Sequence, residues 1–141
     1  MIERDVFNQI SENLYLGDKR CYELQKHPCK AALSLASEDL KQPKFAESYK
    51  YLTISDFPDE SKAKIKQVIL EGVRFIEENM NRKVLVFCGC GVSRSASVVV
   101  AYIMKSQKMS FENALYYVQQ KRQWAHPNST IQEVLKKLVF E

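Results

Sequence analysis

Apolar residues recur along this chain in two rhythms. Compact apolar runs at 14–16, 31–35, 49–54 and 84–87 read as short strands, the first stopped by Gly17. The run Val84, Leu85, Val86, Phe87 is apolar on both faces, as expected of a central parallel strand. Between and after these runs the period changes to that of a helix. Ile65, Val68, Ile69, Gly72, Val73 and Ile76 form one stripe, and Pro58 breaks the loop at 56–60 before it. Residues 94–104 are apolar nearly all round, which predicts a buried helix. A further helix is expected from Ser110, with Phe111, Ala114, Leu115 and Val118 inside. A last one follows Pro127, with Ile131, Val134, Leu135 and Leu138 inside and Thr130-x-x-Glu133 as its capping box. Asp18 is expected to cap a helix running to about residue 26.

Strands alternating with helices predict an α/β fold in three layers, a central mostly parallel sheet flanked by helices. With 141 residues, a single domain over 1–141 is the natural reading. Ligands in such folds bind at the carboxyl ends of the strands. The segment after the 84–87 strand and before the 94–104 helix sits at such an end, and it holds two of the four glycines, Gly89 and Gly91.

Composition narrows the field. Apolar residues make up 45% and charged residues 27% of the chain, within the globular range. The net charge of +4 is scattered, so no basic stripe or tail suggests nucleic acid or a membrane surface. No apolar stretch is long enough to span a bilayer, and no apolar leader follows Met1. The expectation is a cytoplasmic protein, with the nucleus as the alternative, carrying free thiols at Cys21, Cys29, Cys88 and Cys90 and acting as a monomer. His27 and His126 have no spacing to the cysteines that suits zinc, so neither metal nor cofactor is expected.

The chemistry concentrates in Cys88-Gly89-Cys90-Gly91-Val92-Ser93-Arg94-Ser95. Cleaving a phosphate monoester calls for a nucleophile charged at neutral pH, and a thiolate at a helix N-terminus is one. It calls for donors to the non-bridging oxygens, which a tight loop of small residues and the start of a helix supply. A planar cationic fork matching two oxygens is also needed, and Arg supplies it where Lys cannot. Five residues between Cys88 and Arg94 let the loop curl until both face one centre, with Gly89 and Gly91 allowing close approach and positive φ.

The stretch from Val84 to Ser97 resembles the signature of dual-specificity protein phosphatases. Ile10-x-x-Asn13-Leu14-Tyr15-Leu16-Gly17, Ala101-Tyr102-Ile103-Met104 and Pro127-Asn128 resemble other parts of that family, so the likeness covers nearly the whole chain. It implies hydrolysis of phosphotyrosine and phosphoserine or phosphothreonine in proteins through a phosphocysteine on Cys88. Gly89, Cys90, Gly91, Val92, Ser93 and Arg94 would hold the transferring group. Ser95 would assist departure of the thiolate, and Asp56, with Asp59 as the alternative, would be the general acid. The loop carries no Lys or Arg before Arg94, which favours phosphoproteins over phosphoinositides.

The chain departs from the family pattern at Phe87, where a His normally precedes the nucleophile. Phe cannot give the hydrogen bonds by which that His supports the loop, so reduced activity is expected. The same departure supports an alternative, a catalytically weak pseudophosphatase that binds phosphoproteins. Cys90 is a second departure, expected to be a passive small residue rather than a resolving thiol. Tyr116, Tyr117 and Trp124 are expected in the core.

Overall fold

The computed structural model describes residues 5–23, 26–54, 61–90 and 92–140. Its centre is a five-stranded sheet in the order β1-β2-β5-β3-β4. The strands are β1 Phe7–Ser11, β2 Leu14–Asp18, β3 Ala31–Ser34, β4 Ser48–Tyr51 and β5 Val84–Cys88. Only the edge strand β1 runs antiparallel, against β2; the pairs β2–β5, β5–β3 and β3–β4 are parallel. Every residue of β5 is buried, as a strand covered on both faces requires. Its register sets Asp18 beside Cys88 and Ser34 beside Phe87, so the carboxyl ends of three parallel strands share one edge.

Four helices cover one face: α1 Lys62–Glu78, α2 Arg94–Gln107, α3 Phe111–Gln119 and α4 Ser129–Lys136. Side chains alternate across a strand, and Leu14, Leu16, Val84, Val86 and Cys88 pack with these helices in the main core. The opposite face, carrying Tyr15, Ala32, Leu85 and Phe87, is covered by a 3-10 turn and loops that contribute Cys21, Cys29, Phe45 and Ala46. The expected three-layer α/β arrangement is therefore present, with α-helix concentrated in one outer layer. Among the described residues no helix is long and apolar enough to cross a membrane.

The stripe of α1 is the one read from the sequence, with Phe75 added. Ser61 caps it, its side chain accepting from Lys64 N at 3.0 Å. Gly72 lets α1 approach α2, since a Cβ there would lie 2.7 Å from Val98 Cγ1. That contact seats the helix that leads out of the candidate loop.

Several expectations need correction. Of the helix expected from Asp18 to about residue 26, the described residues form a 3-10 turn, Lys19–Tyr22, and Asp18 caps it by accepting from Arg20 N. β4 ends at Tyr51 rather than 54, while Leu52 and Ile54 stay buried beyond it. Gly17 does not stop β2, which continues to Asp18. The cap of α4 falls two residues before the expected Thr130. Asn128 caps α4 by accepting from Ile131 N at 2.9 Å, and Glu133 pairs with Lys62. Tyr116 lies outside the core, 66% exposed, whereas Tyr117 and Trp124 are half-buried.

Candidate active site

Cys88 is the last residue of β5, and Arg94 is the first of α2. The loop between them is tied down from three sides. Leu35 N donates to Phe87 O at 2.8 Å, Lys19 N to Gly89 O at 3.4 Å, and His126 N to Val92 O at 2.6 Å. Asn128 N donates to Ser93 Oγ at 3.0 Å. All four bonds draw on acceptors of this stretch, the polarity of a loop that can turn N–H groups toward an anion. Ser93, the N-cap of α2, makes no side-chain cap bond, since its hydroxyl is turned toward Asn128. The first-turn amides of α2 therefore need another partner, and an anion at a helix N-terminus is a suitable one.

Inside this frame Cys88 Sγ lies 3.1 Å from Ser95 Oγ. Cys88 is 2% exposed and Ser95 is fully buried, so the pair is held by packing. Either atom can donate when the sulfur is a thiol; when it is a thiolate, the hydroxyl must. The Arg94 guanidinium folds back over the start of the loop. A Cβ on Gly89 would stand 3.2 Å from Arg94 Nη2, a tight contact that the glycine avoids; its φ lies outside the left-handed region. Arg94 Nη1 donates to Ser37 Oγ at 3.2 Å. Arg94 Nε is buried and has no hydrogen-bond partner among the described residues. A buried guanidinium N–H without a partner, beside a thiol and a helix start, suits an oxyanion.

The structure thus brings together Cys88, Gly89, Cys90, Val92, Ser93, Arg94 and Ser95 at one strand-to-helix junction. Gly91 and both candidate acids, Asp56 and Asp59, lie outside the described residues. Cys90 is exposed. Phe87 points to the other face of the sheet, fully buried with Tyr15, Cys21, Cys29 and Leu85; its part in the site is its carbonyl.

Three residues were not picked out as site residues from the sequence. Ser37 comes from the loop after β3, where a hydroxyl among acidic residues gives no signal. Asp18 is 6% exposed and bonded to Arg20 Nη2 at 2.7 Å and Nε at 3.1 Å. Arg122 follows α3 and is 1% exposed, with Nη2 3.9 Å from Asp18 Oδ2. Burial pulls the Arg122 guanidinium below its ordinary value, and Asp18, Cys21, Cys88 and Asp5 work against that.

Residues 14–138 match the family model for the dual specificity phosphatase catalytic domain. Over 134 residues the chain is 36% identical to mouse protein phosphatase Slingshot homolog 3, covering 91% of this chain and 20% of the relative. Over 97 residues it is 37% identical to the Dictyostelium discoideum MAP kinase phosphatase with leucine-rich repeats protein 3, covering 68% of this chain and 11% of the relative. The chain therefore spans a fifth or less of the length of these two relatives. Among solved structures, Tk-PTP in the active form superposes with a TM-score of 0.78 at 30% identity, covering 94% of this chain and 95% of that one. The human tyrosine phosphatase-like serine/threonine/tyrosine-interacting protein gives 0.78 at 29%, covering 93% of each. The chain belongs to the dual specificity phosphatase family.

Proposed function

We propose that this protein hydrolyses phosphotyrosine and phosphoserine or phosphothreonine in proteins, with Cys88 as nucleophile. The observation that carries the reading is the Cys88 Sγ–Ser95 Oγ contact of 3.1 Å at the start of α2, with the Arg94 guanidinium folded against the neighbouring Gly89. In the first step the Cys88 thiolate forms a bond to phosphorus while the ester P–O bond breaks. Asp56 donates its proton to the leaving oxygen, and Arg94 and the loop amides hold the charge on the equatorial oxygens. In the second, Asp56 takes a proton from water, whose oxygen attacks phosphorus; the P–S bond breaks and inorganic phosphate leaves. Ser95 Oγ–H then donates to the departing thiolate, from the distance it already keeps.

Hydrolysis of p-nitrophenyl phosphate and of phosphopeptides, for the wild type and for Cys88→Ser, tests this reading. Turnover by the wild type alone is the expected result. A second reading, a module that binds phosphoproteins without turnover, draws on Phe87 in place of the family's His. It takes over if neither protein turns over while both bind vanadate or phosphopeptide.

A further inference from the structure

Arg94 has a fixed backbone and a long side chain. It is the first residue of α2, and its carbonyl accepts from Ser97 Oγ at 2.5 Å. Beyond Cβ several single bonds can turn, and fixing them costs much rotamer freedom. Among the described residues the guanidinium makes one hydrogen bond, from Nη1 to Ser37 Oγ at 3.2 Å. Nη2 packs against Gly89, and Nε is buried without a partner. Nε–H and one N–H of Nη2 point out along a single edge of the planar group, which can meet two oxygens of an oxyanion at once. Ser37 takes the nitrogen that this edge does not use.

Ser37 is exposed, yet the loop that carries it is pinned on both sides. Before it, Leu35 N donates to Phe87 O at 2.8 Å, Leu52 N to Ser34 O at 3.0 Å, and Ala36 N to Ser34 Oγ at 3.3 Å. After it, the Tyr49 hydroxyl donates to Asp39 Oδ1 at 2.8 Å, and the same oxygen accepts from Lys41 N at 2.9 Å. The Tyr22 hydroxyl donates to Leu40 O. These anchors belong to β5, to β4 and the residue after it, and to the turn after β2, so Ser37 is braced by the sheet. A hydroxyl is also a neutral acceptor. It orients the guanidinium and leaves the positive charge for an anion, whereas a carboxylate in its place would neutralise that charge. Asp39, two residues on, is committed to Tyr49 and Lys41 N.

We propose that Ser37 is a positioning residue for Arg94: from the loop after β3 it holds Nη1, so that Nε and Nη2 are aimed at the phosphoryl oxygens before any anion binds. The proposal rests on the reading of Arg94 as the group that holds the transferring phosphate. It requires no contact between Ser37 and substrate. Rotamer freedom given up in the free protein is not lost again on binding, so the latch strengthens the grip on an oxyanion.

The test is a double-mutant cycle on Ser37 and Arg94, read by calorimetric titration with tungstate, a tetrahedral oxyanion that reports on the site with or without turnover. Ser37→Ala is expected to weaken tungstate binding about fivefold, the scale of one hydrogen bond, and to lower kcat/KM for p-nitrophenyl phosphate by a similar factor. Ser37→Thr, which keeps the hydroxyl, should stay within about twofold of the wild type. In an Arg94→Lys background, which keeps the charge but offers no Nη1, Ser37→Ala should change binding by less than about twofold. Equal losses in both backgrounds would mean that Ser37 acts on the anion directly or through its loop, and would overturn the proposal. Unchanged binding in Ser37→Ala would overturn it too. So would tighter binding, since Ser37 would then compete with the anion for Arg94. If Arg94→Lys binds too weakly to titrate, the threonine variant decides: Ser37→Thr as weak as Ser37→Ala rejects the proposal, and recovery supports it. If the wild type binds tungstate without turning over substrate, the hydrolytic reading falls and the binding cycle decides the proposal alone. A wild type that binds no tungstate removes the anion site, and the proposal with it.

Discussion

The two faces of the central sheet each bury cysteine, and they treat it differently. On the face away from the helices, Cys21 and Cys29 sit at 0% and 1% exposure with Tyr15, Leu85 and Phe87. Burial, the largest cause for each, pushes both thiols up to about 12; the charge of Asp18 adds to it for Cys21, and that of Cys21 for Cys29. On the helix face Cys88 is nearly as buried, at 2%, yet it ends a strand, begins a loop, and touches the Ser95 hydroxyl at 3.1 Å. Burial alone yields an inert thiol; a nucleophile needs burial together with hydrogen-bond donors and fixed positive ends. The same step along β5, from Phe87 to Cys88, crosses from one environment to the other.

The largest effect that could break this comparison is removal of the sulfur. Cys88→Ser is expected to lower turnover of p-nitrophenyl phosphate by at least about a thousandfold, on the scale seen when an activated nucleophile is lost. Cys21→Ser and Cys29→Ser should change turnover far less. Phosphate release measured for the three variants checks this, and comparable losses in all three would end the distinction between the faces.

Next in size is Phe87. Its ring is fully buried among apolar neighbours, so Phe87→Ala should cost about 3–5 kcal/mol by urea unfolding. Phe87→His places a polar ring in the same apolar cluster and should cost about 1–3 kcal/mol. The family's His position thus serves packing in this chain, and a Phe87→His variant that gains activity with no loss of stability would contradict that view.

How much of this was legible beforehand follows the range of the interactions. The loop from Cys88 to Ser95 is contiguous and its residue types are few, so it could be singled out directly as the candidate site; the stripe of α1 has a strong helical period and α2 is apolar nearly all round, and the described helices keep both features. β1 was missed because Phe7-Asn8-Gln9-Ile10-Ser11 mixes polar and apolar residues, as suits a strand on a sheet edge. Asp18 was read correctly as a cap but not as the register partner of Cys88, since register is a tertiary property. Arg122 was invisible: its partners Asp5 and Asn8 are 117 and 114 residues away in sequence. At α4, Asn128 and Thr130 both start plausible caps, and the backbone bond from Asn128 N to Ser93 Oγ accompanies the earlier one.

The raised thiols give the comparison a pH dependence. An unfolded Cys loses its proton near its ordinary value of 9.0, whereas Cys21 and Cys29 keep theirs to about 12 in the fold. Between those limits the native state binds more protons than the unfolded one, so stability falls as pH rises. The contribution is fully present below about pH 9 and lost on the way to 12. Each thiol contributes up to about 1.4 kcal/mol per pH unit in that window. Tyr49, also raised by burial, adds to the same limb. Urea unfolding at pH 8 and pH 10 should show the wild type losing about 2–3 kcal/mol more than Cys21→Ala/Cys29→Ala over this interval. Equal slopes would mean that the second face does not hold its thiols neutral.

The smallest expected effect separates a cap from a tether at one residue. Asn128 caps α4 with its side chain, and with its backbone N–H it holds Ser93 Oγ. Asn128→Ala removes the first while keeping the second, and should cost about 1 kcal/mol of stability. Asn128→Pro removes both, and the native φ of −65° already suits proline. If the helix face depends on backbone tethers to shape its loop, turnover should fall about tenfold further in the proline variant than in the alanine variant, the equivalent of one lost hydrogen bond of about 1.4 kcal/mol. Stability should differ between the two by less than the activity does. Equal turnover in both would assign the loop's shape to the packing of α2 alone, and the tether from Asn128 would then serve only to seat α4.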